Sequence, residues 1–237
     1  MMQVGFMSAV VVGPRLSPEV LAVIAVATLR QLGQTIGIAA LSTLICLLIA
    51  YPVAYILASQ PFKKMAILAL LFVIPMWINF MLRIFALQSL LMMIGIGKSY
   101  GAALIGMVYD FFPYMLLPIY TVLANMDQSY VEASRDLGAN PVQTFFKVTL
   151  PLLAPILVYT VITAMIGGLQ MFDVPQVLTN GKGTPDRTSF TIVMYLNNYL
   201  GTSKNYGMAG AISVVLFIIS ASLSLVVYKT LSKPYKN

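Results

Sequence analysis

Five runs in this chain are each long and apolar enough to cross the hydrocarbon core of a bilayer, and that feature limits what the chain can fold into. They are Thr35–Ala58, Met65–Leu87, Ala102–Ala124, Leu150–Leu169 and Ala209–Tyr228, against the ~20 residues that a spanning helix needs. Of the 237 residues, 59% are apolar and only 9% are charged, with a mean hydropathy of +0.90. An average soluble domain has roughly 45–50% and about 25%. An ordinary soluble protein is thereby excluded, and the expected fold class is all-α integral membrane.

Residue types absent from the chain remove whole classes of chemistry. No histidine occurs, so His-based acid/base work, Ser-His triads and most zinc sites are ruled out. The single cysteine, Cys46, lies inside the first apolar run, where it reads as a small buried hydrophobe. No metal or cofactor is implied, and a hydrolase is disfavoured. The formal charge is +7. The basic residues make no clustered face with interleaved aromatics, so nucleic acid is not an expected partner.

The connections between the runs set the topology. Ser59–Lys64 is a short basic turn, and Gln88–Gly101 carries Gly95, Gly97 and Gly101 with one charge, Lys98. Asn125–Thr149 is polar and carries Asp127, Glu132, Arg135, Asp136 and Lys147, whereas Gln170–Met208 is long and rich in turn residues. With five spans, Ser59–Lys64, Asn125–Thr149 and the C-terminus share one side. That side holds Lys63, Lys64, Arg135, Lys147, Lys229, Lys233 and Lys236, while the other holds Arg15, Arg30, Lys98, Lys182, Arg187 and Lys204 across a longer stretch. The positive-inside rule puts the first side in the cytoplasm.

Residues 1–33 form an N-terminal segment in which Val4–Val12 is too short to span and Gly13-Pro14-Arg15 interrupts it. Ser17-Pro18 reads as a helix cap and first helical residue. The expectation is an interfacial or irregular helix, with a bent sixth span as the alternative. The spanning body covers 34–231, and 232–237 is a cytoplasmic tail.

Residues 125–149 predict two short helices. Asp127 caps the first, its carboxylate favoured by the helix dipole, and Gly138 closes it in the left-handed conformation. Asn140-Pro141 opens the second as cap and first residue. Tyr130, Ala133, Ser134 and Leu137 share a face of the first helix by i, i+3, i+4, i+7 spacing, with small residues leaving room for another surface. In the second, Val142, Phe145, Phe146 and Thr149 form a largely apolar stripe.

The run Glu132-Ala133-Ser134, then Gly138, then nine residues, then Val148-Thr149-Leu150-Pro151 resembles the signature loop of ATP-binding-cassette importer permeases, Glu-Ala-Ala-x3-Gly-x9-Ile-x-Leu-Pro. Ser and Val replace Ala and Ile, and the spacing is intact. The resemblance covers about Gln34 to Leu231 and implies the type I importer permease fold: five core transmembrane helices plus a variable N-terminal element. It also implies that the loop is a coupling helix docking on a cytoplasmic ATPase dimer, with Glu132, Ala133, Ser134, Asp136, Leu137 and Gly138 at the docking surface. A second permease subunit of different sequence, an extracytoplasmic solute-binding protein and membrane lipid are the other implied partners. ATP hydrolysis is assigned to the separate ATPase, and the setting is a bacterial-type cytoplasmic membrane.

Two stretches point to different solutes. Ile74–Arg83 and Tyr109–Tyr120 resemble permeases of spermidine and putrescine uptake, whereas Gln170–Gly181 and Asn205–Ala211 resemble carbohydrate importers. Asp110, inside the third run, is either a contact for a cationic solute or a structural carboxylate bonded to Tyr109, Tyr114 or backbone. Arg83, placed near the outer end of the second run, either snorkels, pairs with an acid, or lines the pathway. Asp110, Tyr114, Arg83 and Asp173 are the pathway candidates. Trp77 reads as packing or an interface anchor. Pro52, Pro75, Pro113 and Pro118 are expected to bend helices. Thr179–Asp186 lacks the spacing of a phosphate loop and reads as an outer loop leading into the amphipathic run Phe190–Leu200. The fifteen methionines read as adaptable packing. A membrane scaffold or assembly protein is the alternative reading of the whole chain.

Overall fold

The computed structural model describes residues 18–58, 72, 74–184 and 186–232. Among these, every regular element is helical. The helices are α1 (Pro18–Ala58), α2 (Phe80–Met93), α3 (Tyr100–Ala124), α4 (Ser129–Asp136), α5 (Pro141–Thr144), α6 (Leu150–Gln170), α7 (Asp173–Leu178), α8 (Ile192–Gly201) and α9 (Tyr206–Ser232). Four helical stretches are long and apolar enough to span: Val26–Ala58, Tyr100–Ala124, Pro141–Gln170 and Tyr206–Val226.

Two expectations about the first part of the chain need correction. The helix that begins at Pro18 runs unbroken through residues 33 and 34 to Ala58, so no helical boundary separates an N-terminal segment from the first span. Arg30 and Gln31 do not stop it, since neither breaks helical hydrogen bonding. Residues 1–17, with Val4–Val12 and the Ser17 cap, lie outside the described residues, as do the Ser59–Lys64 turn and the tail lysines Lys233 and Lys236.

The second correction concerns Met65–Leu87. Residues 65–71 lie outside the described residues, and the remainder is interrupted by a 3-10 turn at Ile74–Trp77 before α2 begins at Phe80. Pro75 explains the interruption, because its ring disfavours helical geometry at Ile74 and it offers no N–H. α2 then continues past Leu87 to Met93. Its 14 residues reach roughly 21 Å at 1.5 Å per residue, less than the ~30 Å core. Pro52, Pro113, Pro118 and Pro155, by contrast, lie inside helices that stay continuous.

Contacts divide the chain into two compact units. One takes the chain up to Ser42, Met81–Met107 and Met165–Leu223; the other takes Thr43–Phe80, Val108–Ala164 and the chain from Ser224. In the second unit Cys46, Ala50, Ala54 and Leu57 form a buried stripe on α1, packed with Met115, Leu116, Ile119 and Leu123 of α3 and Leu153 and Ala164 of α6. Alanines at the centre of that stripe let helices approach closely, which matters in lipid, where apolar burial gives no driving force.

In the first unit Leu32, Ile192, Met208 and Ile212 tie α1, α8 and α9 together. Here polar side chains join segments far apart in sequence. The buried Thr35 hydroxyl donates to the Gln31 carbonyl at 2.7 Å and accepts from the Ile192 N–H at 3.0 Å. It thus satisfies one of the free donors at the start of α8. The Thr191 hydroxyl, the cap of α8, donates to the Met171 carbonyl at 2.9 Å, and the Gln88 amide of α2 reaches the Val177 carbonyl of α7 at 3.0 Å.

Candidate functional site

The 125–149 segment folds into the two short helices that its sequence predicts, by largely local means. Asp127 accepts from the Ser129 N–H at 2.9 Å, although the cap position itself is Gln128, one residue later than expected. That bond and a second from the Ser129 side chain hold the exposed Asp127 carboxyl below its ordinary range. At the other end Gly138 has φ +81°. Its N–H bonds the Arg135 carbonyl at 2.8 Å and the Ala139 N–H bonds the Ser134 carbonyl at 3.0 Å. This paired pattern closes α4 and requires a residue at ease in the left-handed region. Asn140 and Gln143 then form a reciprocal capping box, with bonds of 2.8 and 3.1 Å, that opens α5 at Pro141.

A single bond braces the corner between the helices. The Ser134 hydroxyl is 2.9 Å from the Thr144 hydroxyl and also donates to the Val131 carbonyl at 2.8 Å. Ser134 is buried, so it is not a docking-surface residue as the motif position implied. The turn spacing that puts it on the face of Tyr130 also lets it face α5, and its hydroxyl finds its partner there. Glu132, Ala133, Asp136, Leu137 and Gly138 are exposed, with Leu137 at 89%. These five residues form one exposed patch at the corner.

After α5 the chain makes a π turn, Phe145–Thr149, in which the Leu150 N–H reaches back to the Phe145 carbonyl. Pro151 follows at once. It has no N–H for the Lys147 carbonyl, and its ring would crowd that oxygen in a regular helix, so a widened turn relieves both problems. The helix nevertheless continues, and Pro141–Gln170 forms one stretch of 30 residues. The α4–α5 corner is therefore continuous in backbone with a helix long enough to span.

The expected apolar stripe is split by this turn: Thr149 is buried, Phe145 half-buried, and Val142 and Phe146 exposed. Phe145 meets Tyr51 of α1 edge-on at 5.3 Å and Phe146 at 4.8 Å. A cavity of about 840 Å³ beside the segment is lined by Tyr51, Tyr55, Met126, Val131, Phe145 and Phe146 among others. Tyr51 and Tyr55 were not legible as part of this region, because they lie inside an apolar run and nothing local marks them.

The pathway candidates are distributed between the units. Asp110 is half-buried and Tyr114 exposed, four residues apart on α3 and so on one face. Arg83 is half-buried in the first turn of α2. It is thus at the start of a helix rather than near the end of a span, because that helix begins only at Phe80. Asp173 is the first residue of α7, where the helix dipole favours its charge. Trp77 is 88% exposed in the 3-10 turn, which removes the packing alternative among the described residues. The amphipathic run after the outer loop forms α8, with Thr191 as its cap.

Comparison with known proteins settles the family. Residues 48–233 match the family described as binding-protein-dependent transport system inner membrane component. The chain belongs to that family. It is 31% identical to the spermidine/putrescine transport system permease protein PotB of Haemophilus influenzae, over 83% of this chain and 72% of that one. Against the Escherichia coli PotB the identity is 27%, over 83% and 75%. The sulfoquinovosyl glycerol transport system permease protein SmoG of Agrobacterium fabrum is 30% identical over 54% of this chain and 41% of its own. The chain is accordingly an all-α, multi-pass permease subunit of a bacterial plasma-membrane importer, and not itself an enzyme.

Proposed function

We propose that the α4–α5 corner is the docking surface for a separate cytoplasmic ATP-binding-cassette ATPase dimer, and that the solute is a polyamine. Glu132, Ala133, Asp136, Leu137 and Gly138 face the ATPase, while Ser134 braces the corner from within. The observation that carries the docking reading is the unbroken helical stretch from Pro141 into a span, joined to an exposed corner whose shape is fixed by its own caps. ATPase closure moves the corner, and the continuous helix passes the motion to the pathway, shifting the balance between two packings of the spans.

Sidedness follows from the same reading. The connections assigned to the cytoplasm, Asn125–Thr149 and the end of α9, belong to one compact unit, and Gln88–Gly101 and Gln170–Met208 belong to the other. A second permease chain of different sequence and an extracytoplasmic solute-binding protein complete the importer.

The polyamine reading rests on the relatives matched over 83% of this chain, both named for spermidine and putrescine, against half-length coverage by SmoG. The Asp110 carboxyl, four residues from Tyr114 on a spanning helix, is the group placed to meet an ammonium group. Arg83 and Asp173 remain pathway candidates.

Two variants of Gly138 test the docking surface in the reconstituted importer. A Cβ placed at Gly138 would have no neighbouring atom within 4 Å, so a side chain there meets only the left-handed backbone cost and whatever docks. Gly138→Asn tolerates that backbone and Gly138→Leu does not. Leu should abolish coupled uptake, and Asn should reduce it while preserving the helices. Normal uptake by Gly138→Leu would remove the docking assignment. For the solute, Asp110→Asn should weaken labelled spermidine uptake well beyond any loss of membrane abundance. Transport of labelled oligosaccharide but not spermidine by the wild type would overturn the polyamine reading.

A further inference from the structure

A second cavity, of about 560 Å³, lies in the first unit, where the early turns of α1 meet the loop before α8. Its lining includes Arg30, Gln31, Gln34, Asp186, Arg187 and Tyr195. The volume is that of a small-molecule site, about 300–1,000 Å³. Gln31 is only 7% exposed, and its amide nitrogen is buried without a partner. Such a donor is costly to leave unsatisfied and calls for an explanation. Asp186 and Arg187 are consecutive non-glycine residues at φ +46° and +60°, an unfavourable conformation that surrounding structure must enforce and that recurs at ligand clamps. The Arg187 guanidinium is held over the Phe190 ring, 5.6 Å from its centroid.

The charges on this lining are two guanidinium groups and one carboxylate. The neighbouring surface of α1 is apolar and open: Val26 is 65% and Leu29 66% exposed, within a helical stretch long enough to span. Tyr195 and Tyr199, whose hydroxyls are 3.0 Å apart, add the amphipathic aromatics typical of the membrane–water boundary. A cationic pocket beside an open apolar helix face fits a phospholipid, with headgroup in the cavity and acyl chains along α1.

We infer that this cavity binds a phospholipid headgroup, with Arg30 and Arg187 on the phosphate and Asp186 on an ammonium group, which selects phosphatidylethanolamine. Phosphatidylglycerol has no cation to offer Asp186. Phosphatidylcholine has one, but its quaternary nitrogen has no N–H to donate. An acidic side chain of the solute-binding protein is the competing occupant. It is the weaker one, because the carboxylate of Asp186 opposes it and the open apolar face beside the cavity plays no part in it.

The test uses the purified assembled importer in detergent, supplied with equimolar dioleoyl phosphatidylethanolamine, phosphatidylglycerol and phosphatidylcholine, and native mass spectrometry of the lipid that stays bound. Wild type should retain phosphatidylethanolamine preferentially. Arg30→Gln with Arg187→Asn should cut retention of all three lipids by roughly tenfold or more, as expected for lost charge-assisted bonds. Asparagine is chosen at 187 because it tolerates positive φ. Asp186→Asn should keep phospholipid bound and lose the headgroup preference, and because it removes no contact with the phosphate it guards against a folding artefact. Equal retention of the three lipids by wild type, or retention unchanged in the double variant, would overturn the inference. So would a double variant that holds lipid normally but loses stimulation by the solute-binding protein, which would make the cavity a protein-docking site. None of these readouts depends on how Gly138 variants behave.

Discussion

The 125–149 segment and the 170–205 segment are both long polar connections between spanning helices, yet they are built in opposite ways. In the first, the bonds that shape the chain join residues at most ten apart: Asp127 with Ser129, Ser134 with Thr144, Asn140 with Gln143. In the second, Thr191 reaches Met171, Val177 receives Gln88, Thr184 reaches Lys98 and Ile192 reaches Thr35. The first leaves its charged residues, Ala133 and Gly138 exposed. The second buries Val174, Leu178, Phe190, Ile192 and Met194. A segment that fixes its own shape can present that shape to another protein. One that depends on distant partners is part of the body that holds them.

Two left-handed glycines give the widest separation between the segments. At Gly183, φ is +61° and a Cβ would lie 2.6 Å from the Phe190 backbone nitrogen, which cannot move without unmaking the turn. At Gly138 the space is open. Gly183→Ala should combine the left-handed penalty with a backbone collision and cost several-fold more than the ~1 kcal/mol expected from conformation alone at Gly138→Ala. Thermal unfolding of the detergent-solubilised protein reads the difference. Equal shifts for the two variants would mean that the 170–205 loop is not held in place by its packing.

A smaller contrast concerns hydrogen bonds. Thr35→Val keeps the shape of the side chain but strands the buried Ile192 N–H, at about 1–3 kcal/mol. Asn140→Ala removes an exposed cap, whose donors water can satisfy, at about 1 kcal/mol. Amide exchange should show opening around α8 in the first variant and only local fraying of α5 in the second. A Thr35→Val protein as protected at α8 as wild type would show that the long-range bond contributes little to holding that segment.

The same contrast explains what the sequence made legible. The short helices at 129–136 and 141–144, the left-handed Gly138 and the Asn140-Pro141 start follow from residues within a few positions of one another, as local caps and turns do. Thr35 gave no such sign, since a threonine in an apolar run looks like any other, and its partner lies 157 positions away. The interruption at Ile74–Asn79 was legible only as a bend at Pro75: the apolar run continues through it, and hydropathy does not register that the helix stops there. Ser134 was misplaced because face assignment by spacing says which residues line up, and not whether another helix covers them. Arg30, Gln31, Asp186 and Arg187 come together only through the fold of the first unit.

Asp127 offers the smallest effect and a test within the local segment itself. Its carboxylate accepts the Ser129 N–H at 2.9 Å, and hydrogen bonding from Ser129 lowers its pKa from the ordinary 3.8. The ionised form is therefore bound more tightly in the folded chain than in the unfolded one. Its contribution to the start of α4 is complete above that ordinary value and is lost as pH falls through the lowered folded value. The Asn140–Gln143 capping box carries no titrating group, so it should be indifferent over the same range. Amide exchange compared between wild type and Asp127→Ala should show extra protection at Ser129 and Tyr130 in wild type near pH 6. That advantage should disappear at strongly acid pH, while Gln143 stays unchanged between the two proteins throughout. A Ser129 advantage that persists unaltered into the acid range would mean that the bond does not depend on charge, and that α4 is started by its backbone turn at Gln128 alone.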